Sequence, residues 1–146
     1  MEYHGSIAKL RCLSCGLRFR IEDFNIEKLA SENKLPPTCP KCKGLIKTDT
    51  VFFGEPIPND VAEPSLGAAE TCDLMLICGT SAVVYPFASL PRVARQRRGV
   101  TIIELNAERT PLTLEGVSDY LLQGKTGEML PRILEEVKLL KAQQSK

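Results

Sequence analysis

The sequence predicts an α/β protein: a short parallel sheet with helices on its faces, joined to a small metal-binding module. Three observations predict it. From about residue 60 onward, short apolar runs alternate with stretches of helical periodicity. Four of the six cysteines fall into two CxxC pairs before that point. Apolar residues make up 43% and charged residues 25%, the balance of a globular domain with its own core.

The elements follow in chain order. Residues 5–48 carry both CxxC pairs, several Lys and Arg, and the turn-rich stretch "NKLPPTCPKCKG". One helix is expected over about 22–31, opened by acidic residues that suit a helix N-terminus. So little apolar content cannot build a large core, which is the usual condition of a metal-stapled module. "TVFFGE" then reads as a short strand, "PIPND" as a loop, and 60–70 as a helix. "LMLIC" (74–78) reads as a strand buried on both faces, 87–97 as a helix, and "VTIIEL" (100–105) as a second buried strand. "SDYLLQG" (118–124) is a third strand. Residues 127–141 form a terminal helix whose Leu130, Ile133, Leu134, Val137 and Leu140 make a core-facing stripe.

Three strands are few for a doubly wound sheet, which has about six. The pattern therefore reads as the second half of something larger: residues 1–4 and 49–146 as part of a Rossmann-like domain, 5–48 as the metal module. The net charge of +1 argues against nucleic acid or an anionic membrane as partner. No apolar run reaches the ~20 residues of a membrane span, and the first residues are too polar for a signal peptide. The expected location is cytoplasmic. In a reducing compartment Cys72 and Cys78 read as core thiols. The basic cluster "RVARQRRG" reads as a solvated helix face.

Cys12, Cys15, Cys39 and Cys42 form CxxC–x23–CxxC. Two knuckles, each presenting two thiolates from a tight turn, complete a tetrahedral zinc site, with iron–sulfur and a redox dithiol as the alternatives. Four thiolates leave no open position, so one structural zinc is expected and His4, the only histidine, is not needed on it.

In open α/β sheets ligands bind beyond the carboxyl ends of the strands. Three loops occupy that edge: Gly79, Thr80 and Ser81 after the first strand; Asn106, Ala107 and Glu108 after the second; "GKTG" (124–127) after the third. Each alone is also an ordinary turn or helix cap. Together they suggest a nucleotide.

"HGS", the two CxxC pairs, "VFFGE", "CDLMLICGTSAVVYPFASLP", "IIELNAERTP" and "LQG", in this order, resemble the sirtuins, the NAD-dependent protein deacylases, and most of all their bacterial and archaeal members. The resemblance runs from His4 to about residue 136 and implies a role for each motif. His4 would be the general base acting on the NAD ribose. In the family's reaction the acyl oxygen of acyl-lysine attacks C1′ of that ribose and expels nicotinamide. The base then assists the 2′-hydroxyl, and the products are deacylated lysine and an O-acyl-ADP-ribose. Imidazole, with an unperturbed pKa near ~6.5, suits that proton transfer. Val51, Phe53, Gly54 and Glu55 would hold the acyl-lysine peptide against an opposing strand of Val83, Val84 and Tyr85. Gly79, Thr80, Ser81, Asn106, Ala107 and Glu108 would contact NAD, as would Thr126 at the adenine. The cysteines match the family's structural zinc module.

The family's N-terminal motifs, a GAGxS-type phosphate loop and a TQNID-like strand, do not occur in these residues. A truncated enzyme of weak or no activity is therefore expected. The alternative is a non-catalytic, zinc-stapled remnant that binds peptides or a partner. A complementing N-terminal half, or self-association through the open half-sheet, is the expected partnership.

Overall fold

The computed structural model describes residues 1–144, which divide into two compact units, one of residues 1–62 and one from residue 63 on. In the first unit β1 (Lys9–Cys12) lies between β2 (Arg18–Arg20) and β3 (Ile46–Thr48), antiparallel to both. None of the three was expected. Each has only three or four residues and carries Lys or Arg, so no apolar alternation announces it. Leu10, Cys12, Cys39 and Ile46 form a small buried core, packed by Phe19, Phe24 and Ile26. The helix expected over 22–31 is broken in two: a 3-10 turn, Ile21–Asp23, precedes α1 (Ile26–Ser31). Asn25 makes the break, its side chain accepting from the Lys28 amide at 2.9 Å as an N-cap.

"TVFFGE" is not a strand. A run becomes a strand only when a neighbouring edge takes its amides and carbonyls. Here the Val51 amide goes to the His4 carbonyl, and the Glu55 amide closes a turn onto the Phe52 carbonyl. Residues 83–85 are not a strand either; Tyr85 lies in a turn that leads into a 3-10 segment, Phe87–Ser89.

Helix α2 (Asn59–Thr71) contains the division between the units. In the second unit β4 (Leu74–Cys78), β5 (Thr101–Asn106) and β6 (Tyr120–Gln123) form a parallel sheet in the order β4-β5-β6. The crossovers carry α3 (Leu90–Arg95) and the short α4 (Pro111–Leu114), and α5 (Thr126–Gln144) follows. Ala69, Ile77, Ala94, Val100, Ile102 and Leu112 fill the core, with half-buried Cys72 and Met75 against it.

Three expectations fail in this unit. β4 is not buried on both faces: Ile77 is covered, but Leu74 and Leu76 are 56% and 45% exposed. The register puts Leu76 in line with Ile103 and Tyr120, and Cys78 in line with Leu105 and Leu122, so this apolar face is exposed at Leu74, Leu76, Tyr120 and Leu122 but covered at Leu105, with Cys78 half-buried on it. The stripe of α5 is not core-facing as a whole: Leu130 and Ile133 are half-buried, whereas Leu134, Val137 and Leu140 are exposed. Nor is "RVARQRRG" simply solvated. Arg92 pairs with Glu115, Arg95 with Asp119, and Arg97 with Asp73, because the crossovers bring carboxylates to them. Among the described residues no helix is long and apolar enough to cross a membrane.

Candidate functional site

The tight turns of the first unit bring Cys12, Cys15, Cys39 and Cys42 together, all four sulfurs within 4.8 Å of one another. Cys12 and Cys42 are 3.4 Å apart, Cys15 and Cys39 3.7 Å. Sulfurs held about 2.3 Å from one tetrahedral ion lie about 3.8 Å apart, so the set has the size of a zinc site. These distances are far beyond a disulfide bond. The knuckle amides favour thiolate: those of Cys15 and Ser14 bring the Cys12 thiol down to about 6. For Cys39 burial pushes up, and the Cys42 and Lys41 amides more than offset it. The Gly44 amide pulls the Cys42 thiol down, but the neighbouring cysteine sulfurs drive it up to about 12. Four sulfurs so close cannot all ionise without a cation among them, which is the service a divalent metal performs. The donor set fits zinc.

Beside this cluster the chain makes a clip. Gly5 adopts φ +70°, and a Cβ there would stand 1.7 Å from the Asp49 carbonyl oxygen. Only glycine permits so close an approach. It lets the Val51 amide donate to the His4 carbonyl at 2.9 Å. The ring of Tyr3 meets that of His4 edge-on, and the imidazole is exposed. Asp49 anchors the other side of the clip. Its buried carboxylate takes the Arg18 Nε at 2.8 Å and lies 3.2 Å from the Arg11 Nε. Arg18 also grips Asp60, whose carboxyl it holds below the usual range. Two arginines of the metal-module sheet thus fix the strand end from which Val51–Glu55 leaves. Within that segment Phe53 is 97% exposed.

In the second unit the three loops converge at the carboxyl end of the parallel strands. Asn106 ties them: its Nδ2 donates to the Thr80 carbonyl at 2.9 Å, its Oδ1 accepts from the Ala107 amide, and its carbonyl accepts from the Gly124 amide. Gln123 donates to the Ala107 carbonyl at 3.0 Å. Gly79, at φ +62°, brings its backbone close to Thr126, where a Cβ would lie 3.4 Å from the hydroxyl. Thr126 begins α5, so exposed loop backbone and a long helix's N-terminal amides share this edge. That donor-rich edge suits an anionic nucleotide. Val83, Val84 and Tyr85 stand exposed after Ala82, itself at φ +47°.

The Sir2 family model matches residues 1–86. The chain belongs to the Sir2 family. The Sir2 relatives include NAD-dependent protein deacylase 2 of Pyrobaculum aerophilum, 41% identical over 138 residues, which cover 94% of this chain and 51% of that protein. The NAD-dependent protein deacylase of Thermococcus kodakarensis is 39% identical over 146 residues, 99% of this chain and 55% of its own. A solved Sir2 bound to a p53 peptide and NAD+ superposes with a TM-score of 0.73 at 32% identity, over 94% of this chain and 55% of that one. The chain thus spans about half the length of the curated Sir2 relatives it matches.

Sequence reasoning missed the residues that build these Sir2 features. The sequence shows Gly5 only as part of "HGS", and its closeness to Asp49 is a long-range contact. Asp49 sits in the unremarkable "IKTDT", where no local pattern announces a buried carboxylate.

Proposed function

We propose that these residues are the part of an NAD-dependent protein-lysine deacylase that holds the acyl-lysine peptide and the adenosine end of NAD, with His4 as general base. The observation that carries this reading is the 2.9 Å bond from the Val51 amide to the His4 carbonyl. It joins the backbone of the chain's only histidine to the first residue of Val51–Glu55, the segment that matches the family's peptide holder. Family membership, and relatives named as NAD-dependent deacylases, support the rest.

NAD, when bound, supplies the ribose that receives the acyl group. Gly79, Thr80 and Ser81 would hold it with backbone amides and hydroxyls, Asn106–Glu108 and Thr126 from the neighbouring loops. His4 would take a proton from a ribose hydroxyl at an unprotonated ring nitrogen. Val51, Phe53, Gly54 and Glu55, and likewise Val83, Val84 and Tyr85, would each pair with a peptide by main-chain hydrogen bonds. Neither segment is a strand in the free chain, which is consistent with a peptide supplying the missing edge. Zinc on the four cysteines is structural in this scheme.

The open face of Leu74, Leu76, Tyr120 and Leu122 and the exposed stripe of α5 favour a covering partner. A complementing half-domain fits that need, with self-association the alternative, and the 146 residues alone should turn over little. Calorimetric titration with an acyl-lysine peptide and with NAD, beside a deacylation assay, tests this. Peptide binding with weak NAD binding and slow turnover is expected. Robust turnover by this chain alone contradicts the partial-site reading. Binding of neither ligand would leave a non-catalytic partner-binding remnant.

A further inference from the structure

Lys47 is an odd residue for its strand. In the β1–β3 register it stands opposite Arg11, and like charges in direct cross-strand pairs destabilise a sheet. Its neighbour Ile46 points into the core, so Lys47 faces the other way, away from the metal module's interior. A threonine or valine would serve β3 better. Yet the lysine side chain is only 18% exposed. A residue that gives up hydration and rotamer freedom in this way needs partners in return.

Among the described residues, its partners all belong to the next eight. The ammonium donates to the carbonyls of Thr48, at 3.1 Å, and of Thr50. It pairs with Glu55 at 3.0 Å and lies 4.5 Å from the centre of the Phe52 ring. The Glu55 carboxylate in turn accepts from the Phe52 amide at 3.2 Å, and the Glu55 amide donates to the Phe52 carbonyl at 3.0 Å. One cation thus gathers both ends of a turn and one of its two phenylalanines. Phe52 lies under the ammonium and is 55% exposed, whereas Phe53 is 97% exposed.

We propose that Lys47 is a positioning residue for peptide binding: it sets the turn Thr50–Glu55 and selects Phe53 as the ring presented to the acyl-lysine substrate. The proposal rests on the reading above that Val51–Glu55 holds peptide. It also gives the metal module a route to the substrate. Lys47 follows Ile46, the strand partner of the metal ligand Cys12, so the cysteine cluster holds the strand from which the clamp reaches out.

The test uses the full chain loaded with cobalt, whose thiolate absorption reports an intact cysteine site in every variant. Lys47→Met removes the charge at similar length, and Lys47→Arg restores it. The first readout, without peptide, is amide hydrogen exchange at Phe52 and Glu55. Protection should fall about tenfold in Lys47→Met, the size of one lost charge-assisted hydrogen bond, and recover at least in part in Lys47→Arg. The second is titration with an acyl-lysine peptide, where the Kd should rise about tenfold in Lys47→Met and no more than about threefold in Lys47→Arg. With the cobalt spectrum unchanged, exchange and affinity in Lys47→Met within twofold of the parent overturn the proposal. So does equal loss in both variants, which would mark a steric requirement rather than a cation clamp. If the parent takes no peptide while exchange falls as expected, the peptide reading fails and the clamp stands.

Discussion

The amide of Val51 donates to the carbonyl of His4 across 2.9 Å, and this bond joins two motifs separated by the whole metal module in sequence. It exists because Gly5, the next residue, can lie where no side chain fits. The histidine, the segment 51–55 proposed to hold peptide, and the cysteine cluster all belong to one compact unit, 1–62.

Gly5 is the residue on which that joint is most exposed to mutation. A Cβ 1.7 Å from the Asp49 carbonyl cannot be accommodated without moving backbone, and φ +70° adds strain for any L side chain. Gly5→Ala should cost about 2–4 kcal/mol in urea unfolding and abolish exchange protection of the Val51 amide. An unchanged Val51 amide would show that the clip does not depend on glycine.

Asp49 should be nearly as sensitive. Asp49→Asn leaves Arg11 and Arg18 facing a neutral amide at a buried position. Arg18 keeps Asp60 and is about one-third exposed, so the loss should be about 2 kcal/mol, below that of a fully buried pair. Combining Asp49→Asn with Arg18→Met in a double-mutant cycle should give a clear coupling energy; additive losses would mean the pair is not coupled.

Glu104 holds the crossover between β5 and β6. Wholly buried, it accepts from the hydroxyls of Thr110, Thr113 and Ser118, the last two at 2.7 and 2.5 Å. Glu104→Ala strands three hydroxyls and opens a cavity, and should cost about 3–5 kcal/mol, whereas Glu104→Gln keeps an acceptor and should cost about half as much. Thermal or denaturant melting of the two variants separates these outcomes.

Acid should act on the second unit through Asp119. Its carboxylate takes Arg95 at 2.6 Å and the Ile102 amide at 2.8 Å, which together hold its pKa below the ordinary range. A lowered carboxyl stabilises the fold fully above the unfolded aspartate value near ~3.9 and loses that contribution as pH falls through the lower folded value. The stability of Asp119→Asn should therefore fall less between about pH 5 and 2 than that of the parent. Parallel pH profiles would remove Asp119 from the acid response.

What could be read from the sequence was whatever repeats at short range. The β4–β5–β6 runs and the helical stretch between β4 and β5 announce themselves by periodicity, and CxxC spacing announces a tetrahedral site; the four-residue α4 is too short to show a period. The three-residue strands β2 and β3 were illegible because their stability comes from the cysteine cluster and from Asp49, just beyond β3, which pairs with Arg11 and Arg18, not from an apolar pattern. "TVFFGE" misled for the opposite reason. Its composition is that of a strand, but among the described residues no edge receives it, and Lys47 holds it in a turn. The stripe of α5 has the right spacing for a core helix, yet spacing does not say which surface will cover Leu134, Val137 and Leu140. The pairing of "RVARQRRG" with Asp73, Glu115 and Asp119 depends on crossovers that no local pattern reveals.

The most direct test of the central claim is a residue-resolved NMR titration of this chain with an acyl-lysine peptide, repeated with the same peptide unacylated. The account predicts saturable shifts of the amides of residues 51–55 and 83–85 and of the His4 ring, with the unacylated peptide much weaker. Equal binding of both peptides, or shifts confined to other surfaces such as α5, would contradict it.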